Sequence, residues 1–178
     1  DLFTIYYCNK KIFKNLYNLN ITIIGDLKYS RTVHSLIKIL VNYKPTFNFI
    51  SPDSLKLPDD LLEFIKKKNC IYYQDNCYNK YINSTDVLYI TRIQKERFTN
   101  DEKNIDFQNT YNISIEDLVN VKNNLIILHP FPRNNELNTN VDNHISAKYF
   151  LQSKLGIYMR MAIIQYLYYN TKMSRSHL

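Results

Sequence analysis

Arg92 and Gln94 stand two residues apart in Thr91-Arg92-Ile93-Gln94-Lys95-Glu96-Arg97, directly after the apolar run Val87–Ile90. Two more polar clusters follow apolar runs in the same way. Gly25-Asp26-Leu27-Lys28-Tyr29-Ser30-Arg31-Thr32-Val33-His34 comes after Ile21–Ile24, and His129-Pro130-Phe131-Pro132-Arg133 after Leu125–Leu128. A guanidinium grips a carboxylate or phosphate through a fork of N–H donors. Arg31 falls near the start of an expected helix, where free backbone N–H groups and the helix dipole already favour an anion. With Arg92 as a second fork and the Gln94 amide beside it, the set suits a small dicarboxylate, or a carboxylate plus a phosphate. A glycine-rich nucleotide loop is excluded, because the only glycines are Gly25 and Gly156.

Each of these residues also has a plainer role open to it. A single Arg31 or Arg92 is most often a surface ion-pair residue. Lys28, Lys95 and Arg97 can be solvated loop charges, with Arg97 as readily pairing an acid as touching a ligand. His34, one helical turn past Arg31, reads as a packing histidine, and His129 as a side chain bonded to turn backbone. What lifts the functional reading is convergence, and that depends on the elements.

Short apolar strands alternate with helical patterns. Strands are expected at Ile21–Ile24, Phe47–Ile50, Ile71–Tyr73, Val87–Ile90 and Leu125–Leu128. Helices are expected over about Thr32–Val41, from Pro58-Asp59-Asp60 through Ile65, and from Ser114 through Leu118, where Ser114-x-x-Asp117 is a capping-box variant. A turn or short helix at Asn76–Asn83 and an irregular stretch from Thr91 to about Asn112 complete the pattern. Such alternation predicts an α/β domain with a doubly wound parallel sheet of about five strands and helices on both faces. In a parallel sheet all strands end on one edge, where ligands bind, so the three clusters should share one crevice. Two flanking segments lie outside this scheme, Leu2–Tyr17 and a long helix over about Ser146–Tyr169. In the latter Ala147, Phe150, Leu151, Leu155, Tyr158 and Ala162 share one side and Met159, Ile163 and Ile164 widen it. A helix that is apolar over so much of its circumference needs two partners. The expected division is 1–20 as a flanking helix and linker, 21–145 as the α/β domain, and 146–178 as a second flanking helix and tail.

The 178 residues suffice for one ordinary domain, and 45% hydrophobic content marks it as globular. The formal charge of +7 suits small anions as well as nucleic acid. Lys66–Lys68 closes an expected helix and so reads as a helix end, not a nucleic-acid patch. No apolar run reaches the roughly 20 residues that span a membrane. Cys8, Cys70 and Cys77 fit no zinc pattern and read as three idle thiols. Without a starting Met or a signal peptide the compartment is unreadable; the cytoplasm is the default expectation, with an organelle open.

The segments GDLKYSRTVHSL, DVLYITRIQKERF and HPFPRNNEL, together with AKYFLQSKLGIYMRMAII and the opening DLFTI, resemble aspartate carbamoyltransferases. The family's corresponding segments read GDLKYGRTVHSL, DVLYxTRxQKERF and HPLPRxxEI. The resemblance runs from Asp1 to about Ile164. It implies the aspartate-binding half of an enzyme that carries a carbamoyl group from carbamoyl phosphate to L-aspartate in pyrimidine biosynthesis, with no cofactor and no metal. The family's carbamoyl-phosphate domain, with its Ser-Thr-Arg-Thr loop, has no counterpart in these residues. By matching position, Arg31 and Arg92 would grip the two aspartate carboxylates with help from Gln94. Thr32 would touch aspartate, and the carbonyls of a cis Phe131-Pro132 pair would contact the amines of both substrates. Lys95, Arg97 and Glu102 would serve loop closure, and no catalytic residue is expected within the fragment. Partners implied are L-aspartate and, through the missing domain, carbamoyl phosphate, in a homotrimer, with neither nucleic acid nor membrane. Ser30 and Phe131 depart from the family's Gly and Leu, and Thr99–Asn112 matches poorly. An ornithine carbamoyltransferase shares this fold but carries His-Cys-Leu-Pro where His129-Pro130 begins, and Arg92 would repel an ammonium. A non-catalytic anion-binding remnant is the other alternative.

Overall fold

The computed structural model describes residues 1–9, 16–99 and 111–175. Five parallel strands form one sheet in the order β3-β2-β1-β4-β5. They are β1 (Asn20–Ile24), β2 (Thr46–Ile50), β3 (Ile71–Asp75), β4 (Val87–Ile90) and β5 (Ile126–Leu128). β1 lies at the centre, with Ile24 opposite both Ile50 and Ile90. Its β-branched residues suit a strand covered on both faces.

One face carries Ile21, Ile23, Phe47, Phe49, Val87 and Tyr89. Over it pack α1 (Leu2–Asn9) through Ile5, α2 (Arg31–Leu40) through Val33, Leu36, Ile37 and Leu40, and α3 (Asp59–Lys67) through Leu61, Leu62 and Ile65. These positions recur at helical spacing, while acids open α3 and lysines close it, in keeping with its dipole. Each fully buried Ile or Leu contributes about 1.5–3 kcal/mol relative to exposure. The opposite face carries Ile24, Ile50, Leu88, Ile90 and Ile127 under Tyr111, Ile113, Leu118, Val141 and Tyr149. Tyr149 is the first residue of α4 (Tyr149–Arg175), so helices reach both faces. On the second face Thr22 and Thr85 pair their hydroxyls at 2.6 Å and the Asn48 amide donates to Thr22 at 3.1 Å, leaving three buried polar side chains satisfied.

The expected elements recur within a residue or two, with three corrections. The first flanking helix stops at Asn9, and Leu16–Leu19 is not helical; residues 10–15 of that expectation lie outside the described residues. The long helix begins at Tyr149, not Ser146, because Ser146–Lys148 run beside β5: Ile127 N–H donates to Ser146 O and Lys148 N–H to Ile127 O. Its inward stripe is Tyr149, Gln152 and Leu155, so that of the expected stripe only Leu155 is buried. Phe150 and Tyr158 are exposed, and every described side chain from Ile157 to Asn170 is solvent-facing. Gln152 turns inward because its amide bonds the backbone of the sheet edge and Asp1. No helix among the described residues is long and apolar enough to cross a membrane.

Gly25 closes β1 with φ +121°, and a Cβ there would lie 2.0 Å from Thr91 O. Gly25→Ala should therefore lower the unfolding free energy by at least about 1–3 kcal/mol, the cost of the backbone conformation before the clash. Urea denaturation of the two proteins measures it; an unchanged midpoint would place Gly25 elsewhere.

Candidate functional site

β1 and β4 are neighbours whose onward connections diverge, β1 toward β2 and β4 toward β5. Such a switch point opens a crevice at the C-terminal strand ends. Two polar links close its floor. The buried Asp26 carboxylate accepts N–H from Tyr29 at 2.8 Å and from Gln94 at 3.1 Å, joining the loops after β1 and β4. The buried Ser30 hydroxyl lies 3.0 Å from that of Thr32 and 3.3 Å from that of Thr91. Ser30 has ordinary backbone angles, so its place in a family position usually held by Gly strains nothing.

A cleft of about 440 Å³ opens there, lined in part by Gly25, Arg92, Lys95, Glu96, Tyr111 and Glu136. Arg92 reaches it from the end of β4 and forms a two-pronged pair with Glu96, one prong at 3.0 Å. The Arg92 hydrogen bond holds the Glu96 carboxyl down at about 2. Glu96 raises the Arg92 guanidinium in turn, with Glu136 and Asp26 adding attraction from further off. The guanidinium fork is thus formed and already engaged by an exposed carboxylate on its own loop. A carboxylate ligand can take the fork only by exchanging with Glu96.

The third cluster forms the far wall. Phe131-Pro132 is cis, and Phe131 has φ +53°. The Phe131 ring rests among His129, Tyr149 and Phe150 at 5.4–5.8 Å. Buried His129 accepts N–H from Phe131 at Nδ1 (3.0 Å) and sits 2.8 Å from Glu136 through Nε2. Burial pushes the Glu136 carboxyl up, but hydrogen bonds from His129 and Asn134 outweigh it and hold the group below its ordinary value. His129 N–H donates to Gln152, whose amide donates to Asp1 (2.7 Å); Tyr89 also donates to Asp1 (2.9 Å). A second cleft of about 300 Å³ lies on this side, lined by Asp1, Thr32, His129, Pro130, Gln152 and Arg160 among others.

The expected residues divide accordingly. Arg92 and Lys95 line the larger cleft, and Thr32 lines the smaller. Gln94 is fixed through its backbone to Asp26. Arg31, the first residue of α2, is exposed and is among the lining residues of neither cleft. Among the described residues Arg97 pairs no acid at close range; its guanidinium donates to Tyr29 O at 3.1 Å. Glu102 lies outside the described residues. His34 Nε2 donates to Leu27 O at 2.8 Å, the packing role expected of it. His129 does more than bond backbone, and Arg133 is structural, forking onto Asp142. Among the described residues no group of three or more His, Cys, Asp or Glu side chains could hold a metal, and the three cysteines are free.

Sequence reasoning passed over Asp26, Glu96, Glu136 and Gln152. The first three carried a signal: Asp26 and Glu96 are acids inside clusters already singled out, one residue after Gly25 and four after Arg92, and Glu136 follows the third cluster, three residues after Arg133. Gln152 carried none, since a polar residue within an apolar helix reads as its outer face.

Residues 17–167 match the family model of the aspartate/ornithine carbamoyltransferase Asp/Orn-binding domain. The aspartate carbamoyltransferase catalytic subunit of Picrophilus torridus is 46% identical over 164 residues, covering 92% of this chain and 52% of the relative. That of Bacteroides fragilis is 42% identical over 165 residues with the same coverage. Among solved structures, the catalytic subunit of M. jannaschii aspartate transcarbamoylase matches with a TM-score of 0.81 at 39% identity, over 93% of this chain and 55% of that one. The Trypanosoma cruzi aspartate transcarbamoylase in complex with N-(phosphonacetyl)-L-aspartic acid matches with a TM-score of 0.78 at 35% identity, over 90% and 53%. The chain spans about half the length of the curated relatives it matches.

The Arg92–Glu96 pair has a pH signature. A carboxyl depressed from 4.5 to about 2 adds stability that is complete above pH 4.5 and lost as pH falls through about 2. Carbon-13 titration of the Glu96 carboxyl should show a midpoint near 2, and Arg92→Ala should return it toward the ordinary glutamate value. A midpoint near 4.5 in the unaltered protein would dissolve the pair.

Proposed function

Because the chain belongs to the aspartate/ornithine carbamoyltransferase family through that family's Asp/Orn-binding domain, we propose that it holds L-aspartate while the complete protein transfers a carbamoyl group to it from carbamoyl phosphate. The observation that carries this is Arg92, a preformed guanidinium fork facing a cleft of about 440 Å³ at the switch point of a parallel sheet. Lys95 adds a second cation to the same cleft, which favours an anionic ligand over the ammonium of ornithine. Two structures of the T. cruzi aspartate transcarbamoylase, one in complex with aspartate and phosphate and one with carbamoyl phosphate, support the same pair of substrates.

In this reading Arg92 takes one aspartate carboxylate, released from Glu96, and Arg31 takes the other from the first turn of α2. Gln94 and Thr32 assist, and the Phe131 and Pro132 carbonyls accept from the substrate amines. Lys95, Arg97 and Glu102 belong to a loop that closes over the ligand. The aspartate amine attacks the carbamoyl carbon, the bond to phosphate oxygen breaks, and the amine loses a proton. The protein supplies orientation and stabilises the developing oxyanion. No cofactor enters. Carbamoyl phosphate is held by the part of the protein that corresponds to the other half of the relatives, in a homotrimer. Segments 1–20 and 146–178 flank the 21–145 core and face that half, which is supported by the uncovered apolar side chains of α4.

Two outcomes test this. In the complete enzyme Arg92→Ala should raise the aspartate requirement at least about thirtyfold while leaving carbamoyl phosphate binding nearly intact, since breaking one partner of a charged pair costs about 2–5 kcal/mol. Steady-state kinetics with each substrate varied decides it, and an unchanged aspartate dependence removes Arg92 from the site. Residues 1–178 alone should form no N-carbamoyl-aspartate, because they contain no Ser-Thr-Arg-Thr loop; turnover by the purified chain would refute that.

A further inference from the structure

The turn that carries Phe131 and Pro132 is short of backbone hydrogen bonds. Pro130 and Pro132 have no N–H to give. Of the N–H groups between them and beside them, that of His129 goes to Gln152, that of Phe131 to His129 Nδ1 at 3.0 Å, and that of Asn134 to Glu136 Oε1 at 2.9 Å. The same Glu136 oxygen faces His129 Nε2 at 2.8 Å. Because Nδ1 accepts from Phe131, the imidazole carries its proton on Nε2 and donates it to Glu136. One oxygen therefore gathers both arms of the turn, one directly and one through the ring. Phe131, a non-glycine residue, is held at φ +53° in the middle. Glu136 is 8% exposed and His129 1%, yet Glu136 also lines the cleft that holds Arg92. Hydrogen bonds keep its carboxyl ionised against the effect of burial.

We propose that Glu136 is a positioning residue for carbamoyl transfer: through His129 and the Asn134 N–H it fixes where the Phe131 and Pro132 carbonyls point, without itself touching either substrate. The inference rests on the reading of those carbonyls as contacts for the reacting amine. A buried acid placed only for stability would need no second donor from the imidazole that also orients Phe131. The relay runs in one direction, from Phe131 N–H to the ring and from the ring to the carboxylate, so removing the carboxylate frees the ring to turn or change tautomer. The carbonyls then lose their aim while Arg92, on the opposite wall, keeps its fork.

The test uses the complete enzyme. Glu136→Ala and His129→Ala should each lower kcat roughly 10–100-fold, the scale of a misplacement of about 1 Å, with the KM for carbamoyl phosphate unchanged. The double variant should be no worse than the poorer single one, because both act through one latch. Glu136→Gln, which keeps an acceptor oxygen, should recover most of the rate. If the alanine variants fold poorly, nitrogen-15 spectra of the histidine rings in Glu136→Gln and in the unaltered enzyme still report the tautomer, expected with the proton on Nε2 in the latter. Full kcat in folded Glu136→Ala, additive losses in the double variant, or a His129 proton on Nδ1 would each overturn the proposal. An unaltered complete enzyme that does not carbamoylate aspartate would instead overturn the reading on which it rests.

Discussion

The contact between Gly25 and Thr91 is the constraint from which the site follows. The backbone at the end of β1 lies so close to the Thr91 carbonyl that a methyl group could not stand between them. Two strand ends held at that distance send their loops into one crevice. The loops then need only short polar links to share a floor, and Asp26 and Ser30 supply them. Had any residue with a Cβ stood at position 25, β4 would have had to move outward. Arg92 would have moved with it.

Around that contact the forces differ in kind. The sheet is held by apolar burial on both faces, a large and non-directional term. The crevice is held by hydrogen bonds to buried acids and a buried amide, which contribute little net energy but are costly to leave unmade. Asp26, Glu136 and Gln152 are accordingly the places where a single atom decides geometry. The Arg92–Glu96 pair is different again. It is partly exposed, so its worth to stability is small, and its effect is to present the guanidinium in a defined orientation.

Strand positions, the central helices and the edge on which the clusters meet were legible because each rests on local periodicity. The shared crevice, though not the strand order that opens it between β1 and β4, followed from where polar residues succeed apolar runs. Arg92 and Lys95 could be placed for that reason. The acids could be noticed beside their clusters but not placed, because nothing in Asp26 or Glu136 alone distinguishes a loop charge from a buried acceptor until the third dimension supplies its donors. The stripe of α4 was misjudged for the converse reason. Counting apolar residues put Phe150 and Tyr158 inward, whereas two hydrogen bonds put Gln152 there. Ser146–Lys148 were read as helix because side-chain pattern is blind to a backbone already paired with β5.

Among the described residues, α4 is anchored near its start. Its first turns are fastened by Tyr149, Gln152 and Leu155, while the described remainder meets solvent on all sides. At about 1.5 Å per residue a helix of 27 residues is longer than the sheet edge it leaves. Its backbone amides should therefore record a gradient in hydrogen–deuterium exchange. Those near Gln152 would open only when the sheet does, and those past Ile157 more readily. Because helix formation is cooperative, the steepness of that gradient measures how far along the chain one buried glutamine can impose order.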